Sequence, residues 1–302
     1  MYPFLVESNY KSFKKYILQH REFVFNKLNY SGAILFRGFD LESPLDFEKA
    51  VKLINPNLKN YFGGDSPRNK ITSKVYTSTH YPSDQTISMH HEKSYSNHYP
   101  EYIFLFCHIE PEVGGETPIA DGREIYKKMP CNIIDKFKDK KIKYIMNLHS
   151  GVGIGKSWQE AFEIDSKVEL EKVLKEYNVP FQWRVGDKLR IEEIVDPILT
   201  LPHSGEKVFF SQVDQWHPLG LGKEIFEDLK SIMSDEDFYH NCKFGDDSDI
   251  DIEYISTIQE VVNKERVFFK WKKGDLLILN NLISMHGRMP FSGKRQILVA
   301  MT

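Results

Sequence analysis

Short segments rich in strand-forming residues recur on both sides of a helix-patterned middle, and this division most constrains the fold. Before the middle come Lys74-Val75-Tyr76-Thr77, Ile87-Ser88-Met89-His90, Tyr102-Ile103-Phe104-Leu105-Phe106-Cys107 and Thr117-Pro118-Ile119-Ala120. After it come Lys207-Val208-Phe209-Phe210, the run around Leu276–Leu279, and Gln296 to Met301. Between about Gly122 and Asn178 the apolar spacing turns mostly helical, clearest at Val168–Leu174. The pattern predicts a mainly β fold with flanking helices, one barrel interrupted by a helical insertion over about residues 122–200.

At the front, Phe13, Tyr16, Ile17, Phe23, Val24 and Leu28 recur at helical spacing within residues 9–28, and Ala33-Ile34-Leu35-Phe36 reads as a short buried strand ending at Gly38. Ser43, Pro44 and Asp46 supply a cap, a proline at the first helical position and an early acid, which predicts a second helix through about Ile54. Phe268 to Leu279 predicts a hairpin turning at Lys273-Gly274-Asp275. With no internal repeat or flexible linker, we expect residues 1–302 to form a single domain.

Composition narrows the partners. The formal charge is −3, and the densest basic run, Lys138-Asp139-Lys140-Lys141, is broken by an acid, so nucleic acid is not an expected partner. Three widely spaced cysteines, Cys107, Cys131 and Cys242, argue against a disulfide framework and a zinc knuckle. No run approaches the roughly 18 apolar residues of a membrane span, and the first residues lack a secretory pattern. The expected setting is the cytoplasm.

His90-His91-Glu92 follows a strand-like segment, so alternation would put His90 and Glu92 on one face and His91 on the other. His286 follows the apolar strand around Leu276–Leu279, where a barrel could return it to the first pair. Two histidines and one carboxylate on one side of an ion leave its other positions open, the arrangement of non-haem iron oxygenases. A lone H-x-E is a weak signal, because histidine and glutamate are common; Arg295, shortly after His286, strengthens it by offering a bidentate cation to a dicarboxylate.

Three stretches then match together: Ile87 to Tyr95, Glu112-Val113-Gly114-Gly115-Glu116-Thr117-Pro118-Ile119-Ala120-Asp121, and His286-Gly287-Arg288-Met289-Pro290-Phe291 with Arg295. In order and spacing, over about residues 30–302, they resemble the taurine dioxygenase (TauD/TfdA-like) family, and within it the SyrP-like hydroxylases of amino-acid-derived metabolites. The resemblance implies a double-stranded β-helix (a cupin-like jelly roll), Fe(2+) held by His90, Glu92 and His286, and 2-oxoglutarate and O2 as co-substrates. It further implies Arg295 and Thr117 at the distal carboxylate of 2-oxoglutarate. The implied substrate is a small molecule, an amino acid or derivative, free or tethered to a carrier protein.

Three positions depart from the family pattern: His91 where this branch often has asparagine, Asn280 where aspartate is common before the distal histidine, and Gln296 where relatives often have a second arginine. Related halogenases replace the acidic ligand by a small residue, so Glu92 implies hydroxylation, with desaturation, epoxidation or ring closure as alternatives. A metal-binding jelly roll without turnover is the alternative of a different class, disfavoured because Arg295 and Thr117 are retained with all three ligands.

Other residues have plainer readings. Arg68, in Ser66-Pro67-Arg68, is a candidate substrate contact or a loop anchor. His91 and His108 read as packed sheet residues, and Gly151 to Ser157 as a mobile loop that could cover the site rather than a phosphate loop, since Ser150 stands where the first glycine is needed. Phe181, Trp183, Phe209, Phe210 and Trp216 read mainly as core, a minority lining a substrate pocket.

Overall fold

Tyr102–Ile109 and Leu276–Asn280 are apolar at nearly every position because the sheet they form is buried on both faces. The computed structural model describes residues 2–8, 12–59, 68–78 and 81–302; the first three residues of the predicted first helix and Ser66-Pro67 lie outside them. The central sheet runs Phe4–Glu7, Ala33–Arg37, Leu276–Asn280, Tyr102–Ile109, Gln296–Met301, Tyr76–Thr77. The first pair is parallel and the rest antiparallel.

Alternation then divides the labour. Phe104, Phe106, Leu276, Ile278 and Leu298 face helices Phe13–Ser31 and Pro44–Ile54 in one core. Ile103, Leu105, Leu277, Leu279, Ile297 and Val299 face the other way, toward Ile119 and Trp271. The second helix begins where its capping signals put it: Ser43 accepts from the Asp46 N–H, and Asp46 returns the bond to the Ser43 N–H.

A smaller sheet, Ile87–His90, Ser284–Arg288, Ile119–Asp121, carries His90 and His286. The chain passes from the central sheet to this one through Asn281-Leu282-Ile283. Between the sheets lies a cavity lined by Leu105, Ile297 and Val299 from one and by Ile87, His90 and His286 from the other.

The expectation of a mainly β chain is corrected to a mixed one. The stretch expected to be helical contains helices Gly122–Lys128, Cys131–Lys140, Trp158–Phe162 and Lys167–Glu176, but also strands Ile142–Leu148, Phe181–Arg184, Lys188–Val195 and Ile198–Thr200. With His240–Phe244 three of these make a four-stranded antiparallel sheet. Their outward positions are Lys143, Asn147, Glu192 and similar residues, which serve a helix surface equally well, so polarity alone did not separate the two. Further helices follow at Lys223–Ile232 and Ile252–Lys264. No described helix is long and apolar enough to cross a membrane.

The hairpin expected across Lys273-Gly274-Asp275 is only half formed: the turn and the strand after it exist, but residues 268–272 are not strand. Side chains claim that backbone instead. The Asp275 carboxylate accepts from the Lys272 N–H (2.7 Å) and takes Arg37 in a two-point ion pair (2.9 and 2.6 Å), while Arg37 also donates to the Lys270 carbonyl (2.8 Å). Trp271 turns inward to Thr117.

Glu48, buried in the second helix, ties that helix to the turn before Tyr76–Thr77 by accepting from Lys52, Thr72 and Ser73. Burial raises its pKa, but these donors outweigh it and hold the carboxyl at about 2, below the usual 4.5. The resulting stabilisation is complete above about pH 4.5 and lost as pH falls toward 2. Glu48→Gln is expected to lower stability at neutral pH by about 1–3 kcal/mol. Denaturant titrations from pH 7 to 2 should show the gap to wild type closing below about pH 4.5; a gap constant with pH would refute the linkage.

Candidate metal centre

Antiparallel pairing of Ile87–His90 with Ser284–Arg288 sets His286 directly opposite His90, with ring centroids 4.4 Å apart. Glu92 comes from the turn just past the strand, where Lys93 adopts φ +56°. The expected continuation of the strand through Glu92 is not what brings the two side chains together: the chain leaves the strand after His90, and the turn brings the carboxylate round. Candidate ligand atoms of His90, Glu92 and His286 all lie within 4.8 Å of one another.

The donors fit a divalent ion. His90 Nδ1 lies 2.8 Å from the Ser88 carbonyl, so that nitrogen donates and Nε2 keeps its lone pair for a metal. Burial, followed by the charges of His90, Arg68 and His91, pushes the His286 pKa well down and keeps its imidazole neutral, the form that ligates. Nitrogen and carboxylate donors without thiolate suit ferrous iron.

Thr117 and Arg295 line the same cavity, of about 50 Å³, with the triad and Arg68. Arg295 donates through Nε to the Gly115 carbonyl (3.0 Å), and burial, reinforced by Arg288, lowers its pKa to about 10, leaving it charged at neutral pH. The two glycines before it have a steric explanation. Both take φ of +70°, and a Cβ on Gly115 would come 2.9 Å from Arg295 Cδ, while one on Gly114 would come 2.3 Å from the Pro290 carbonyl oxygen.

Arg68 lies on the Glu92 carboxylate, its Nη2 donating to both oxygens (3.1 and 3.0 Å) with each side chain 6% exposed. His91 is sealed in the core between the Asn281 and Phe209 carbonyls, and burial drops its pKa to about 4. The Asn280 side chain, at a position that departs from the family pattern, reaches Asn29 and the Leu282 N–H and, among the described residues, no candidate ligand. The Gly151–Ser157 loop packs Gly155 on Tyr239 and caps helix Trp158–Phe162 through Ser157; none of its residues lines the triad's cavity.

Two positioning residues escaped the sequence reading. Asn281, fully buried, donates to the Glu92 and Pro100 carbonyls (both 2.9 Å) and accepts from the Glu92 N–H (2.8 Å), a clamp on the ligand's backbone. Its only signal was its place, next to the anomalous Asn280. Trp271 Nε1 donates to Thr117 Oγ1 (3.0 Å); it was visible only as an aromatic in an expected strand.

Asn281→Ala is expected to weaken divalent-metal affinity about 10–100-fold, measured with Mn(II) by magnetic resonance or calorimetry. Unchanged affinity in a folded variant would mean that Glu92 is held in place by other contacts.

The family described as taurine catabolism dioxygenase TauD, TfdA family matches residues 7–302. The dapdiamide synthesis protein DdaC of Enterobacter agglomerans is 30% identical over 274 residues, covering 91% of this chain and 83% of that protein. A clavaminate synthase-like protein of Arabidopsis thaliana is 25% identical over 299 residues, 96% of this chain and 87% of that one. Among solved structures, PvcB of Pseudomonas aeruginosa, an Fe, alpha-ketoglutarate dependent oxygenase from an isonitrile synthetic pathway, shares the fold with a TM-score of 0.54 at 10% identity, over 98% of this chain and 84% of PvcB. The chain belongs to the TauD/TfdA family and is a dioxygenase, with ferrous iron as cofactor and 2-oxoglutarate and dioxygen as co-substrates.

Proposed function

We propose that His90, Glu92 and His286 hold Fe(II), that Arg295 and Thr117 bind the distal carboxylate of 2-oxoglutarate, and that the enzyme hydroxylates an unactivated C–H of an amino acid or amino-acid-derived metabolite, free or carrier-tethered. The carrying observation is that the three ligand atoms lie within 4.8 Å of one another in a cavity that Arg295 and Thr117 also line. The cavity between two sheets supports a double-stranded β-helix, residues 1–302 forming one domain. Free thiols at Cys107, Cys131 and Cys242 suit a reducing, cytoplasmic setting.

Held by His90, Glu92 and His286, ferrous iron would supply the coupling of substrate oxidation by dioxygen to decarboxylation of 2-oxoglutarate to succinate. The residues around it do the positioning. Arg295 fixes the dicarboxylate by charge, from a pocket where burial strengthens the attraction. Because the Trp271 N–H occupies an acceptor site on Thr117 Oγ1, the hydroxyl's own proton is left to donate toward that carboxylate. Arg68, beside Glu92, is the proposed contact for an anionic group of the substrate. The name of the relative DdaC, a dapdiamide synthesis protein, and the isonitrile pathway of PvcB support an amino-acid-derived substrate.

Anaerobically purified protein given Fe(II), 2-oxoglutarate, oxygen and a panel of amino acids and carrier-linked aminoacyl groups should form succinate in a substrate-stimulated manner. His286→Ala should reduce it to background; surviving turnover would remove His286 from the ligand set. Arg295→Gln should raise the KM for 2-oxoglutarate by roughly 30-fold or more, as expected for loss of a buried charge partner. An unaltered KM would place the dicarboxylate elsewhere.

A further inference from the structure

A second cavity, of about 610 Å³, opens one residue past the triad: Lys93, which follows Glu92, lines it. Buried Tyr95, Tyr144, Phe162 and Trp216 form an aromatic floor. Tyr95 lies tilted against Trp216 at 4.5 Å between centroids, and Tyr144 meets the same indole edge-on at 5.3 Å.

One buried acid is set into this wall. Glu193, 7% exposed, accepts at Oε2 from the Asn97 backbone N–H (3.0 Å) and side-chain amide (3.4 Å). Its other oxygen, Oε1, takes no donor from the described residues, and Glu193 is among the residues that line the cavity. A carboxylate drawn out of bulk water with one oxygen unused calls for a cation. Aromatic faces around it favour the same partner. The exposed rim groups, Lys59, His98 and Glu176, carry both signs and are screened by solvent, so they set little preference. Half-buried Lys93 is the remaining charge on the wall and lies next to Glu92 in sequence.

We infer that this cavity holds the free ammonium group of the substrate against Glu193 Oε1, with the substrate's apolar body on Tyr95 and Trp216. The substrate is therefore an amine rather than an N-acylated derivative. What is then done to it rests on the oxygenase reading above; the binding itself does not.

The test is a fluorescence titration of the protein with L-leucinamide and L-phenylalaninamide and with their N-acetyl counterparts, with and without Fe(II) and 2-oxoglutarate under anaerobic conditions. Wild type is expected to bind the free amines about tenfold more tightly than the acetylated forms. Glu193→Gln should shrink that preference to less than about twofold. Glu193→Asp, which keeps the charge but withdraws it by one methylene, should weaken binding while keeping the preference, and Glu176→Gln on the rim should change neither. No preference for the free amines in wild type, or a preference that persists in Glu193→Gln, would overturn the inference. The titration reads Glu193 whether or not the Fe(II)–2-oxoglutarate absorption band forms, and absence of that band would count against the oxygenase reading alone.

Discussion

His286 reaches His90 because two short antiparallel strands pair with these residues directly opposite each other, the register shifting only beyond them, between His286 and Arg288. Side chains alternate faces along a strand, so a slip of one residue would turn His286 away from the cavity and present Met285 or Gly287 in its place. Three contacts hold the register. Ser284–Arg288 also pairs with Ile119–Asp121, setting His286 opposite Ile119; the Gly287 N–H donates to the Pro118 carbonyl (3.0 Å); and Asn281 grips the Glu92 backbone from the turn before the strand. The placing of the two candidate histidines is thus a property of backbone pairing, with the side chains riding on it.

The central sheet gives this arrangement its low-dielectric setting. Covering one face with two helices leaves the other to form a wall of Leu105, Ile297 and Val299 against the site. In such a setting a charge is costly alone and strongly attracted to a partner. Arg295 shows the cost in its lowered pKa, and Arg68 and Glu92 show the compensation by facing each other. Charges that would be unremarkable at a surface acquire here a strong pull on any partner of opposite sign.

Much of this was legible in the chain. Ser43, Pro44 and Asp46 announced a helix whose ends match the prediction, and the apolar runs announced strands. The grouping of His90, Glu92 and His286 was legible because iron chemistry restricts residue type, and the structure brings these three together in a cavity that Arg295 also lines. The inserted sheet was hidden by charged outward positions that a helix would also accept, and the half-formed hairpin by Asp275, whose side chain took hydrogen bonds a strand would have given to a neighbour. Asn281 and Trp271 were hidden for another reason. Each acts through one hydrogen bond network to a residue far away in sequence, and asparagine beside asparagine, or tryptophan among aromatics, carries no periodic mark of that duty.

The place of Gln296–Met301 has a consequence for the order in which the fold can be built. This strand sits between Tyr102–Ile109 and Tyr76–Thr77, and the bond from the Tyr102 N–H to Thr302 Oγ1 joins residues 200 positions apart. A ribosome must therefore release nearly all of the sequence described here before one edge of the long apolar strand Tyr102–Ile109 is covered. Until then that edge offers unpaired backbone groups to any neighbouring chain. Closing so long a loop is slow, so nascent chains spend that interval exposed to mispairing.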